Sequence, residues 1–104
     1  MGYRLQGQAI EHHLPRCRTH AARTVLLVMA YEAHDQDPRP TYFKGSDALA
    51  HALGKAVLGT ATVAGRRAVE RALAELVQLG VIRQEKATNR SRNRRWVLHL
   101  DQPR

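Results

Sequence analysis

The stretch GRRAVERALAELVQLGVIRQEKATNRSRNRRWVLHL, Gly65 to Leu100, decides how this chain is read. Its first half places Val69, Ala72, Leu73, Leu76 and Leu79 at three- and four-residue steps, the period of a helix with one buried face. Arg66, Arg67, Glu70, Arg71, Glu75 and Gln78 fall on the opposite face, and Gly80 ends the pattern. Beyond it, VIRQEK (81–86) and RWVLHL (95–100) alternate with the period of two that a strand requires. The second run sets Trp96, Leu98 and Leu100 on one side and Arg95, Val97 and His99 on the other. Between them, ATNRSRNR combines turn-forming Asn and Ser with arginine at alternate positions. The stretch therefore predicts a helix followed by a hairpin with a basic tip, anchored at its base by Trp96.

Upstream, RCRTHAARTVLLVMAYEAH (Arg16 to His34) places Ala22, Val25, Leu26, Met29 and Ala33 on a buried stripe, with Arg18, Arg23 and Glu32 on the polar face. DQDPRP breaks that helix, because two prolines favour an extended backbone. Thr41, Tyr42 and Phe43 predict a short strand. Ser46 reads as an N-cap, Asp47 suits the positive first turn, and Ala48, Leu49, Ala52 and Leu53 supply an apolar face that Gly54 closes. KAVLGTATVA, from Lys55, reads as a connection with one turn of helix. Residues 1–15 show no sustained period beyond a short turn at QAIEHH (Gln8 to His13), closed by Pro15, and are expected to form an N-terminal arm, with 101–104 a C-terminal tail.

The order is helix, short strand, helix, helix, strand, basic loop, strand. It predicts an α+β fold over residues 16–100, a winged helix-turn-helix of three helices with a small antiparallel sheet and a basic wing. The segments GSDALAHALG (Gly45 to Gly54) and RRAVERALAELVQLGVI (Arg66 to Ile82) resemble the winged helix-turn-helix proteins of actinobacterial phages, plasmids and integrated elements. More distantly, they are similar to MarR-type regulators and to the N-terminal domains of phage replication initiators. The resemblance covers roughly residues 41–100. It implies a recognition-helix face at Arg66, Arg67, Glu70 and Arg71, and a wing at Arg90, Arg92, Arg94 and Arg95. The connection from Gly54 to Ala64 is longer than the turn of a minimal helix-turn-helix, which leaves the start of the recognition helix open.

Charge points the same way. The 104 residues carry a formal net charge of +8, mostly as arginine, and such a surface attracts polyanions. Arginine's planar fork suits phosphate and guanine edges, although a GC-rich genome produces the same bias. The expected partner is double-stranded DNA, bound sequence-specifically by a transcription regulator or replication organiser. Arg67 and Arg71 are the candidates for guanine contacts. The alternative is a winged helix that docks on protein or RNA. An aromatic content of 5% disfavours recognition by base stacking.

Other chemistries are weaker. HHLPRCRTH brings His12, His13, Cys17 and His20 close in sequence, yet Pro15 interrupts them and no second ligand pair at finger spacing follows, so no metal is expected. There is no phosphate-binding glycine motif and no nucleophile elbow, so neither a catalytic residue nor a cofactor is expected. No small-molecule ligand is evident. VLLVMAY, Val25 to Tyr31, is too short to span a membrane, and the opening MGYRLQGQAI has no apolar leader core. One cysteine suits a reducing compartment, so the expected location is cytoplasmic and nucleoid-associated. The apolar content of the first helix raises a homodimer as one expectation and the buried central helix of a monomer as the other.

Overall fold

The fold is built around one helix pair. A computed structural model describes residues 3–33, 40–42, 45–85 and 95–100 of the chain. It is an α+β structure of four α-helices and a small antiparallel sheet. The elements are α1 (Tyr3–Gln8), α2 (His20–Glu32), β1 (Thr41–Tyr42), α3 (Ser46–Ala52), β2 (Ala56–Val57), β3 (Thr60–Ala61), α4 (Val63–Gln78), β4 (Ile82–Glu85) and β5 (Arg95–Leu98). Helix α2 packs on α4, joining Val25, Leu26 and Met29 to Val69, Leu73 and Leu76 in one buried cluster. The sheet has the order β1-β5-β4 and adds Tyr42, Ile82, Trp96 and Leu98 to that core.

Helix boundaries follow local chemistry. The Thr62 hydroxyl accepts from the Gly65 N–H at 2.9 Å and so caps α4, as the Thr19 hydroxyl caps α2 by accepting from the Ala22 N–H at 3.1 Å. Both α3 and α4 end in a Schellman motif. Gly54 and Gly80 take φ of 73° and 76°, the next residue's N–H returns to the carbonyl of Ala50 or Leu76, and left-handed geometry of this kind favours glycine. In α4 the closing contact is apolar, since Val81 and Leu76 are both buried.

Five expectations are corrected. Residues of the supposed arm are helical: α1 runs into a π-helical turn (Ala9–His13) and a 3-10 turn (Leu14–Arg16). Leu5, Ala9 and His13, four apart and therefore on one face, are buried. The following helix starts at His20 rather than near Arg16, because Thr19 caps it. Gly45, with φ of 89°, occupies the N-cap of α3, and Ser46 is its first helical residue. Between α3 and α4 there is no turn of helix but the hairpin β2–β3, in which Ala56 pairs with Ala61 and Val57 with Thr60. Val97, expected on the outer face of its strand, is also buried. It lies on the central strand of the sheet, in register with Thr41 and Arg83.

The hairpin is fixed to both helices. Asp47 of α3 accepts from the Ala61 N–H at 3.0 Å. The Lys55 carbonyl accepts from the Thr62 N–H and from the Thr62 hydroxyl, both at 3.1 Å, and it lies against the Cα of Gly65. A β-carbon at Gly65 would overlap that carbonyl oxygen, whereas one at Gly7 in α1 would meet nothing. Alanine is favoured over glycine in a helix by about 1 kcal/mol. Gly65→Ala should nevertheless lower stability, since forced overpacking costs about 1–3 kcal/mol and here the overlap is with backbone rather than a movable side chain. Gly7→Ala should raise stability by about 0.5–1 kcal/mol, and urea denaturation of the two variants checks the opposite signs.

Candidate nucleic-acid interface

Helix α4 buries Gly65, Val69, Ala72, Leu73 and Leu76, which turns its opposite face to solvent. Arg66, Arg67, Glu70 and Arg71 are all exposed there. The first turn of α4 contains no acidic residue. Helix N-termini carry partial positive charge and favour acids, so arginines close behind an acid-free first turn concentrate positive potential where the fold gains nothing from it. Arg67 and Arg71 lie one turn apart, a like-charge spacing that costs an isolated helix about 0.2–0.5 kcal/mol. The Arg71 Nε does reach the Arg67 carbonyl, at 3.4 Å.

Two open clefts run beside this face. One, of about 350 Å³, lies among Thr19, Lys55, Ala64, Ala68, Arg71 and Glu75. The other, of about 460 Å³, lies among Arg18, Arg71, Ala74, Glu75, Gln78 and Leu79. Exposed Lys55 and Arg18 thus extend the cationic surface from α4 toward the start of α2. Neither was singled out in the sequence, because Lys55 sits in a segment of mixed pattern and Arg18 on an ordinary polar face. Exposed Arg83 on β4 was missed likewise.

The wing residues divide. Arg90, Arg92 and Arg94 lie outside the described residues. Arg95 is half-buried at the start of β5, in register with Glu85 of β4.

Several other charged groups serve the fold. The Glu75 carboxylate accepts from the Arg18 N–H at 2.7 Å and from the Thr19 hydroxyl at 3.0 Å, clasping α4 to the N-terminus of α2. Both contacts run between helices rather than along α4. Arg16 donates to the Leu79 carbonyl at 3.0 Å, satisfying an acceptor at the C-terminus of α4. Arg23, expected on a solvated face, is half-buried and donates to the carbonyls of Leu14 and Cys17 at 3.2 and 2.9 Å.

Two members of the His-Cys cluster, His13 and Cys17, also serve the fold. His13 is buried with its Nε2 3.1 Å from the Leu100 carbonyl, so this nitrogen carries the proton, and its Nδ1 faces the Arg16 guanidinium at 3.5 Å. Burial pushes the Cys17 thiol up from its ordinary value and the charge of Glu75 adds to this, while Arg23 and Arg16 oppose it. Tyr42 is pushed up to about 12 by burial and by Glu32, and its hydroxyl donates to the Gly45 carbonyl at 2.8 Å. Among the described residues, no three His, Cys, Asp or Glu side chains come together to hold a metal, and no helix is long and apolar enough to cross a membrane.

Comparison of the chain with protein-family models, with curated proteins and with solved structures finds no match. The chain's own geometry is therefore what bears on function.

That geometry sorts the arginines into two kinds. Arg16→Ala removes a charged donor from a half-buried carbonyl and should cost about 1.5–3 kcal/mol. Arg67→Ala, at an exposed position, should change stability by no more than about 0.5 kcal/mol. Thermal unfolding of both variants tests this division.

Proposed function

We propose that the protein is a winged helix-turn-helix that binds double-stranded DNA sequence-specifically, as a transcription regulator or replication-organiser module. The observation that carries this reading is the exposed cationic face on the N-terminal half of α4, where Arg66, Arg67 and Arg71 follow an acid-free first turn. An α-helix fits the major groove, and the N-terminal residues of a recognition helix are the ones that reach base edges. The chain order of α2, β1, α3, α4, β4 and β5, with β5 between β1 and β4, is compatible with that use.

In this arrangement α4 enters the major groove. Lys55 and Arg18 face phosphates beside α4, and the expected wing, residues 87–95, would run along the backbone or minor groove. Arg67 and Arg71 read guanine, each contributing about 1–3 kcal/mol of discrimination when bidentate. Glu70, between them, suits a cytosine amino group or excludes other bases.

The first experiment is selection from sheared genomic DNA near physiological salt, followed by sequencing of what is retained. The proposal expects enrichment of one short motif, located at promoters for a regulator or at an origin for a replication organiser. Neutralising about six phosphates should give log affinity a slope of roughly −5 to −6 against log salt. Replacing Arg67 and Arg71 together by Ala should abolish preference for the motif while leaving weak binding to any duplex. Full site preference in that double variant would refute the assignment of α4.

A further inference from the structure

The segment between α3 and α4 holds two features that the recognition-helix reading does not use. Leu58 and Gly59 form the two-residue loop of the β2–β3 hairpin, with φ of 51° and 81°. Two positive φ values mark a type I′ turn, whose first position favours Asn, Asp or Gly. Leucine there is a backbone outlier. Leu58 is also 100% exposed, and Val57 beside it and Val63 in the first turn of α4 are 63% and 69% exposed. An unfavourable conformation and an unburied apolar side chain thus coincide at one residue. When a sequence breaks two local rules at a single surface position, the inference runs from the outlier to function.

What surrounds this tip selects its partner. From Lys55 to Arg67 the chain has no acidic residue, Lys55, Arg66 and Arg67 flank the apolar group in sequence, and the neighbouring Asp47 carboxylate is engaged by the Ala61 N–H. A second copy of the chain would bring those same cations against one another. Duplex DNA offers both complements, phosphates for the cations and thymine methyl groups for an apolar tip. Strand geometry puts Gly59 only about 10 Å along the chain from Thr62, the cap of α4, within reach of the same groove.

We propose that the β2–β3 hairpin is a second base-reading element, in which Leu58 packs on a thymine methyl beside the bases read by α4. This rests on the DNA-binding reading and extends it, because sequence choice then comes from an apolar contact as well as from arginine. It also assigns a role to the long connection between the two helices.

The test uses Leu58→Asn. Asparagine tolerates left-handed backbone, and a fully exposed leucine leaves no cavity, so circular dichroism should show the fold kept. Binding of wild type and variant is measured to a mixed-sequence genomic DNA duplex made with thymine and to the same duplex made with uracil replacing thymine, which lacks only the methyl. Wild type should bind the thymine duplex about three- to tenfold tighter, and the variant should not distinguish the two. The salt slope should be the same for both proteins, since no phosphate contact is removed. A variant that keeps the wild-type preference for thymine would overturn the role of Leu58 while leaving DNA binding standing. Wild type that binds neither duplex would overturn the DNA-binding reading itself. A wild-type dimer that Leu58→Asn converts to monomer in sedimentation would assign the tip to a second copy and overturn the proposal.

Discussion

The carbonyl of Lys55 is the point on which the candidate interface depends. It takes the N–H and hydroxyl of Thr62 while lying against Gly65, and so locks the end of α3, the hairpin and the first turn of α4 together. Thr62 in turn caps α4 through the Gly65 N–H. The direction in which α4 leaves the hairpin, and with it the placement of Arg66, Arg67 and Arg71, follows from this junction. Asp47 holds the second strand of the same hairpin from α3. A flexible connection would let the two helices reorient. A hydrogen-bonded one presents a preorganised surface, which lowers the ordering cost of binding.

The net charge of +8 divides between the fold and its surface. Arg16 and Arg23 satisfy carbonyls of the turns before α2 and the end of α4, and Glu75 clasps α4 to the start of α2. These groups are half-buried or engaged with backbone, and their contribution is to stability. Arg18, Lys55, Arg66, Arg67 and Arg71 remain exposed along one side of the molecule. Arg4 of α1 and Arg83 of β4 are exposed as well, so five of the seven exposed cations among the described residues lie along α4 and its flanks.

The elements with a clean hydrophobic period were legible in the sequence. In α4 the apolar positions recur without interruption and the ending glycine is explicit. The same holds for the stripe of α2 and the anchoring role of Trp96. The N-terminal helix escaped because its buried face consists of Leu5, Ala9 and His13, and a histidine counts as polar until the structure shows its partner, the Leu100 carbonyl. The hairpin escaped because a type I′ turn is recognised by Asn-Gly or Asp-Gly, and this chain has Leu58–Gly59 instead. Interhelical contacts such as Glu75 with Thr19 join residues far apart in sequence, where hydrophobic period carries no signal. Of the site, the exposed arginines of α4 follow from helical period, while Lys55, Arg18 and Leu58 required the three-dimensional placement of the hairpin and of α2.

The most direct measurement is an NMR titration of the isotopically labelled protein with a short duplex at low salt. The account predicts that amide shifts concentrate in residues 55–71 and 86–95, on the hairpin, the N-terminal half of α4 and the wing. It also predicts that α1 and the buried face of α2 stay unmoved. Shifts centred on α1 and the turns before α2, or no shifts at all, would contradict the claim that this face of the protein holds DNA.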